Sequence, residues 1–271
     1  MLSAGRTFVR ASKTGIPLPE VEELRDLYRY GCHFRRGEVV MIAGRSGSQK
    51  SGFALWLVTQ MRVPTLYFSA DMSIHTAGTR VTEIVTGHTE EQIDGNRLDP
   101  DRRREYERLL AEVPITFSFK SPITQYAIEN ELNAYIELWD AYPEVIVVDN
   151  LKDMDGAESE YIGQMEAMAA LTEIARATGS TVIVMHHASD KSWDAKDKPF
   201  APPSRAEIKN GLSENPELSL SVALEPNRNR FRIAVIKQRS GPCDPTARTW
   251  VELLAQPETT SFYRLREDGN D

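Results

Sequence analysis

Cysteine is scarce in this sequence, and long apolar runs are missing. Only two of the 271 residues are cysteines, Cys32 and Cys243, so a disulfide framework is excluded and a reducing compartment is expected. No apolar run approaches the roughly 20 residues of a membrane-spanning helix, and the first 20 residues contain no apolar core of a secretory signal. The sequence therefore predicts a cytoplasmic protein without a membrane partner.

Basic residues are also fewer than acidic ones. The chain has 32 Lys and Arg against 40 Asp and Glu, which gives a formal net charge of −8. This balance argues against a protein that binds nucleic acid over its whole surface, but it leaves room for a local basic track. The length is sufficient for one large core with a small extension.

Short apolar runs alternate with helical patterns in the first 187 residues. The runs have the composition of buried strands, and they are EVVMIA (38–43), PTLYFSA (64–70), ITFSF (115–119), EVIVVDN (144–150) and STVIVMHH (180–187). This alternation predicts an α/β fold with a doubly wound, mainly parallel sheet and helices on both faces. Four later strand patterns predict antiparallel additions at one edge of the sheet.

The strongest local signal is a phosphate-binding loop between the first strand and the following helix. Residues 44–51 read GRSGSQKS, close to the pattern G-x-x-x-x-G-K-[ST]. We expect Lys50 on the β- and γ-phosphates of ATP and the Ser51 hydroxyl on Mg²⁺. Gln49 replaces the last glycine, and its side chain could crowd the loop. A simple Ser/Gly turn with a helix cap is the alternative. The predicted ATP-binding residues are Gly44, Arg45, Ser46, Gly47, Ser48, Gln49, Lys50 and Ser51.

Two acidic residues follow strands on the side where ligands bind to such sheets. Asp149 closes the run VIVVD and is predicted to hold Mg²⁺ through water, with a helix cap as the alternative. Asp71 follows YFSA and could polarise the attacking water as a general base. The alternative for Asp71 is a helix cap, a role for which Ser73 competes.

Two further strand ends carry polar or basic residues. His186 and His187 end the fifth strand, and their side chains should point to opposite faces, so a shared metal ion is not expected. One of them could sense the γ-phosphate, or lie exposed in a loop. Lys237 and Arg239 follow the run FRIAVI and could reach the phosphates of an adjacent subunit; a solvated strand end is the alternative.

Several of these segments together resemble the C-terminal motor domain of the DnaB-type replicative helicases, which are RecA-like ATPases. The matching stretches lie in order within residues 34–242, and they are FRRGEVVMIAGRSGSQKS, LYFSADMS, VIVVDNLKDM, TVIVMHHASD, AEIKNGLSENPELSLSVAL and AVIKQRSGP. The resemblance implies a RecA-like fold, ATP and Mg²⁺ as cofactors, and single-stranded DNA as a partner. It also implies a homo-oligomeric ring, expected to be a hexamer, with a primase or a loader as a further partner.

The resemblance implies a role for each matching residue. Lys50 and Ser51 match the phosphate and Mg²⁺ positions of the family, and Asp149 matches its Walker B acid. Asp71 matches the catalytic glutamate but is one methylene shorter. His187 stands where the family usually has a glutamine that senses the γ-phosphate.

Lys237 and Arg239 match the cations that the family supplies in trans to the neighbouring subunit. Two parts of the chain are expected, an arm with a linker helix over residues 1–30 and a RecA-like ATPase motor domain over residues 31–271. The family's N-terminal collar domain is not expected, as in shortened phage and plasmid homologues. A bacterial or phage-infected cell is then the expected location.

If the resemblance holds, the loop over residues 188–209 lines a DNA channel. The region 226–248 has the clearer basic excess, since it contains one acid, Asp244, and several cations, which are Arg228, Arg230, Arg232, Lys237, Arg239 and Arg248. We expect these cations to form a narrow basic lining in a ring whose outer surface is acidic.

Three functions fit the sequence. The first is an ATP-driven, ring-forming DNA helicase or translocase that acts on single-stranded DNA in replication. The second is a RecA/RadA-like recombination or repair ATPase that assembles on DNA without unwinding it. The third is a non-catalytic assembly or loader module with a degenerate phosphate loop, for which Gln49 is the best support.

Overall fold

The computed structural model of the protein describes residues 14–154, 161–189 and 200–265. The strands are β1 (Val39–Gly44), β2 (Thr65–Ser69), β3 (Ile115–Ser118), β4 (Val145–Asp149), β5 (Thr181–His187), β6 (Leu218–Glu225), β7 (Arg230–Gln238), β8 (Val251–Gln256) and β9 (Ser261–Arg264). In the described part of the chain, these nine strands form one sheet in the order β3-β2-β4-β5-β1-β6-β7-β8-β9. The six strands from β3 to β6 run parallel, and the last three pairings are antiparallel.

Helices precede β1 and connect the parallel strands from β1 to β5. They are α1 (Arg25–Arg29), α2 (Lys50–Met61), α3 (Ile74–Thr86), α4 (Glu90–Arg97), α5 (Pro100–Ala111), α6 (Gln125–Trp139) and α7 (Tyr161–Thr178). Short 3₁₀ turns cover Glu22–Leu24, Leu151–Asp153, Arg205–Glu207, Lys209–Glu214, Pro226–Arg228 and Pro257–Thr259. None of the helices among the described residues has the length and apolarity required to cross a bilayer.

The core forms two layers, one on each face of the sheet. Alternate residues of β1 divide between them, because successive strand side chains point to opposite faces. Val40 and Ile42 pack with residues of α2 and α3, whereas Met41 and Ala43 pack with residues of α6 and α7. The predicted doubly wound sheet with helices on both faces is confirmed.

Side-chain caps explain where several helices begin. The Ser73 hydroxyl accepts a hydrogen bond from the Thr76 backbone N–H at 3.0 Å and caps α3. Ser73, rather than Asp71, is therefore the cap of this helix. Asp99 caps α5 with Pro100 in the first turn, so the charged region between α3 and β3 forms two helices, α4 and α5, rather than one.

The direction of one strand, β6, differs from the expectation. We predicted β6 as the first antiparallel addition, but β6 pairs with β1 in parallel, with Val40 opposite Leu218. A connection over residues 188–217 precedes β6, which is long enough for the crossover that a parallel pairing requires. The antiparallel additions therefore begin at β7.

Candidate active site

The carboxyl ends of four parallel strands meet at one edge of the sheet, which we call the carboxyl edge. In the strand register, Gly44 at the end of β1 lies opposite His187 at the end of β5. Ser69 at the end of β2 lies opposite Asp149 at the end of β4. Asp71 follows β2 by two residues. The fold therefore brings the phosphate loop, both predicted acids and His187 to the same edge.

The phosphate loop joins β1 to α2, and its backbone requires glycine at two positions. A Cβ on Gly44 would lie 2.8 Å from the Val222 carbonyl oxygen and 2.4 Å from the Ser48 hydroxyl, so no side chain fits there. Gly47 has a φ of +73°, in the left-handed region that glycine adopts without steric cost. The helix N-terminus at Lys50 directs backbone N–H groups toward the loop, an arrangement that favours bound phosphate.

Gln49 adopts the left-handed backbone that glycine usually supplies at its position. Its φ is 62° and its ψ is 26°, which costs a residue with a Cβ about 1 kcal/mol. The Gln49 side chain lies over the first turn of α2, where its Oε1 is 2.7 Å from the place that a Cβ on Gly52 would occupy. Since Gly52 leaves that space open, the side chain is accommodated with the glycine-type backbone retained.

Lys50 is buried at the centre of the loop. Its ammonium donates hydrogen bonds to the carbonyl oxygens of Gly44 and Arg45, both at 3.0 Å. The positive charge at the start of α2 is thereby aimed into the loop. This is the position from which a lysine can contact the β- and γ-phosphates of a nucleotide.

Asp149 is 1% exposed, and other side chains hold its carboxylate. The Tyr67 hydroxyl donates a hydrogen bond to Asp149 Oδ2 at 3.1 Å, and the Ser51 side chain is also hydrogen-bonded to it. Burial raises the pKa of Asp149, and the nearby Asp71 adds to this rise, whereas the bonds from Ser51 and Tyr67 oppose it. A carboxylate and a hydroxyl are the oxygen ligands that Mg²⁺ prefers, so Ser51 and Asp149 fit a magnesium ion.

Asp71 lies beside β4 and is held by its neighbour there. The Asn150 side-chain amide donates a hydrogen bond to Asp71 Oδ2 at 2.9 Å. Lys152 Nζ lies 3.9 Å from the same oxygen, and about half of the Asp71 side chain is exposed. This arrangement leaves the carboxylate open to water and fixes its direction at the edge of the sheet.

Sequence reasoning missed Tyr67 and Asn150. A signal for Tyr67 was present, since a tyrosine inside a buried strand needs a partner for its hydroxyl. The partner itself depends on the pairing of β2 with β4, which the sequence does not specify.

The two histidines that end β5 point to opposite faces, as predicted. His186 Nε2 donates a hydrogen bond to the Lys209 carbonyl oxygen at 3.1 Å, and burial lowers the pKa of His186 to about 4. Burial, with the charges of Lys50 and Lys152, lowers the pKa of His187 to about 4. Both rings are therefore neutral at pH 7. The charge of Lys50 acts on both rings, but His187 shares the face of β5 with Met185, which packs with residues of α2, the helix that begins at Lys50.

Lys237 and Arg239 lie at the opposite edge of the sheet. β7 runs antiparallel to β6, and the backbone N–H of Arg239 donates a hydrogen bond to the carbonyl oxygen of Glu217. The backbone N–H of Glu217 donates in turn to the carbonyl oxygen of Val39, at the start of β1. The six residues of β1 separate this position from the phosphate loop, a distance of about 20 Å at the usual rise of a strand. The two cations therefore do not join the site of their own chain.

The two cations also differ from each other. Lys237 Nζ donates hydrogen bonds to the backbone carbonyls of Glu214 and Pro216, and partial burial, together with the charge of Arg239, lowers the pKa of Lys237. The Arg239 side chain is 59% exposed and lies 3.4 Å from Glu217. Arg239 is thus the more exposed of the two cations.

The structure describes only part of the expected DNA path. Residues 190–199 of the predicted loop lie outside the described residues. The basic excess over residues 226–248 is partly offset, because glutamates from outside that window pair with three of its arginines. The pairs are Arg228 with Glu225, Arg232 with Glu225 and Glu252, and Arg239 with Glu217.

Comparison with known proteins places this site in a family. A family model described as "AAA domain" matches residues 15–192, which is more than half of the chain. The chain belongs to the AAA domain family. The AAA domain chain is also 32% identical over 253 residues to the "Gene 65 protein" of Mycobacterium phage L5, with 91% of this chain and 92% of the relative covered. It is 31% identical over 223 residues to the "Gene 65 protein" of Mycobacterium phage D29, with coverages of 79% and 94%.

Solved structures are similar to the chain over nearly its whole length. A DnaB-like replicative helicase, solved to describe its interactions with primase, superposes with a TM-score of 0.77 and 16% identity over 98% of this chain and 68% of that chain. A second solved structure, described as an ATPase domain, superposes with a TM-score of 0.77 and 16% identity over 96% of this chain and 95% of that one. The predicted resemblance to a DnaB-type, RecA-like fold is confirmed.

Proposed function

We propose that this AAA domain protein is an ATP-driven, ring-forming motor that acts on single-stranded DNA during replication, in the cytoplasm of a phage-infected cell. The observation that carries the proposal is the meeting of Lys50, Ser51, Asp149 and Asp71 at the carboxyl edge, while Arg239 lies exposed at the opposite edge. The phage relatives and the helicase-like fold support it.

The proposed chemistry is hydrolysis of the γ-phosphate of ATP. Lys50 would move from the backbone carbonyls to the β- and γ-phosphates, and Ser51 and Asp149 would hold Mg²⁺, which would neutralise phosphate charge. Asp71 would orient the attacking water and accept its proton while the water oxygen bonds to the γ-phosphorus and ADP leaves with the β–γ bridging oxygen. We propose that Asn150 offsets the shorter side chain of Asp71 by fixing the direction of its carboxylate.

The site is proposed to be shared between subunits. Arg239 of one subunit stabilises charge on the nucleotide of the next, as an arginine finger does, with Lys237 beside it. Neutral His187, which lies near Lys50, is proposed to sense the γ-phosphate. This sharing requires a homo-oligomer, for which we propose a hexameric ring, and a primase or loader is proposed as its partner.

Gln49 no longer favours the non-catalytic alternative. Its side chain is accommodated over Gly52, and its backbone keeps the left-handed conformation that glycine adopts without steric cost. A loss of hydrolysis therefore finds no support in the loop geometry.

The test is ATP hydrolysis with and without single-stranded DNA, together with unwinding of a forked duplex. We expect DNA-stimulated turnover and strand displacement. Lys50→Ala serves as the blank, and Lys120→Ala, which removes an exposed lysine paired with Glu131, serves as the matched control with normal turnover. Turnover no higher than the blank would refute the proposal, and DNA-stimulated turnover without displacement would favour a recombination-type ATPase.

A further inference from the structure

Arg45 in the phosphate loop is held by residues that lie far along the chain. Its Nη2 lies 2.6 Å from Glu207 Oε1, and its Nη1 donates a hydrogen bond to the Ala201 carbonyl oxygen at 2.9 Å. The side chains of Arg45 and Glu207 are only 12% and 8% exposed. A short, buried, charge-assisted contact of this kind fixes the relative position of its two partners.

Glu207 also organises the segment to which it belongs. Its Oε2 accepts hydrogen bonds from the Ser204 backbone N–H at 2.8 Å and the Ser204 hydroxyl at 2.9 Å. Its backbone carbonyl accepts from the Ser189 N–H at 2.9 Å, and Ala188 forms a β-bridge with Ile208. Glu207 thus joins residues 200–208 to the end of β5 and, through Arg45, to the phosphate loop.

The phosphate-loop end of this connection is held by Lys50, the residue that a nucleotide would contact. Lys50 Nζ donates a hydrogen bond to the carbonyl oxygen of Arg45 itself. A bound phosphate competes for the same ammonium, because lysine in such loops contacts the β- and γ-phosphates. When Lys50 changes partner, the Arg45 backbone loses a hydrogen bond, and the position of its side chain against Glu207 is open to change.

We propose that Glu207 is a positioning residue that transmits nucleotide binding at the phosphate loop to residues 200–208. The inference rests on the proposed function, since it requires nucleotide at the loop. The proposed connection does not involve His187, because it runs through the ion pair between Arg45 and Glu207, which lies on the segment after β5. By linkage, the position of residues 200–208 in turn affects nucleotide affinity.

The experiment measures amide hydrogen exchange of the full chain with and without Mg²⁺ and a non-hydrolysable ATP analogue. We expect nucleotide to change the exchange rates of peptides within residues 200–208 by about fivefold or more in the wild type. In Glu207→Gln this change should be lost while the analogue still binds. Arg45→Lys, which keeps the charge but cannot bridge Glu207 and the Ala201 carbonyl together, should also weaken it.

Glu144→Gln is the matched control. Glu144 forms an ion pair with Arg36 at the same 2.6 Å distance, but it does not contact the phosphate loop. This variant should show the wild-type response.

Direct titration with a fluorescent ATP analogue distinguishes a failure of the proposed function from a failure of this inference. No binding to the wild type would refute the proposed function. Binding without a change over 200–208, or an unchanged response in both Glu207→Gln and Arg45→Lys, would overturn this inference alone.

Discussion

The two edges of the sheet carry polar groups of opposite character. At the carboxyl edge, Asp149 and His186 are only 1% and 2% exposed and are hydrogen-bonded, and the half-exposed Asp71 is held by Asn150. At the opposite edge, the Arg239 side chain is 59% exposed and lies beside Glu217. The first edge has the properties of a preorganised site, whereas the second leaves a cation exposed.

Strand direction explains this difference. Parallel strands bring their carboxyl ends together, so β1, β2, β4 and β5 all deliver side chains to one edge. β7 reverses direction, and its end, with Lys237 and Arg239, therefore lies at the other edge. One chain thus carries the two parts of the proposed ATPase site at opposite edges of its sheet, so the proposal requires a second copy.

The largest expected effect on activity comes from Arg239, at the edge opposite the carboxyl edge. Arg239→Ala should lower ATP turnover about 10³-fold, the lower range for an arginine finger, while nucleotide binding changes much less. Steady-state hydrolysis and analogue titration measure the two quantities. Arg103→Ala is the control, since it removes another exposed arginine paired with a glutamate. Wild-type turnover in Arg239→Ala would show that the edge with Arg239 has no part in ATP hydrolysis.

An intermediate effect is expected at the carboxyl edge. Tyr67→Phe removes the hydroxyl that donates to Asp149, so the carboxylate is less well oriented and its pKa rises further. We expect the Mg²⁺ concentration for half-maximal hydrolysis to rise about tenfold, as for other groups that orient metal ligands. Tyr106→Phe, which alters a tyrosine hydroxyl between α4 and α5, should leave the Mg²⁺ requirement unchanged. Equal Mg²⁺ curves for Tyr67→Phe and wild type would show that Tyr67 does not position the acid.

The smallest effect concerns stability. Burial lowers the pKa of His186 from 6.5 to about 4, so the unfolded chain takes up this proton before the folded chain does. The contribution to stability is complete above pH 6.5 and decreases as the pH falls from 6.5 to 4. Between pH 7.5 and pH 6 this histidine should lower the unfolding free energy of the wild type by about 0.8 kcal/mol.

Urea unfolding of His186→Gln tests this assignment. The variant should lack that part of the pH dependence, whereas His75→Gln, which alters an exposed histidine, should keep it. An identical pH dependence in His186→Gln and wild type would rule out His186 as the source.

The sequence predicted the carboxyl edge better than the contacts within it. Continuous apolar runs located β1, β2 and β4 to within about one residue, because strands buried on both faces have no polar positions. The period of two also predicted the opposite directions of His186 and His187. The direction of β6 was not predictable, since an apolar strand has the same composition in parallel and antiparallel pairings.

The supporting contacts depend on long-range pairing. Tyr67 reaches Asp149, and Asn150 reaches Asp71, only because β2 and β4 are neighbours in the sheet. The fit of Gln49 over Gly52 depends on a left-handed backbone that the sequence pattern assigns to glycine. The pair of Arg45 and Glu207 joins residues 162 positions apart.

A mixed-subunit assay tests the central claim, that each ATPase site combines the two edges of neighbouring subunits. Asp71→Ala and Arg239→Ala proteins, each inactive alone, should regain part of the ATP turnover when mixed, because some interfaces then contain both intact residues. Asp71→Ala mixed with Asp149→Ala should regain none, since both defects lie on the same side of the interface. Failure of the first mixture to exceed the second, with mixed oligomers present, would contradict a shared site.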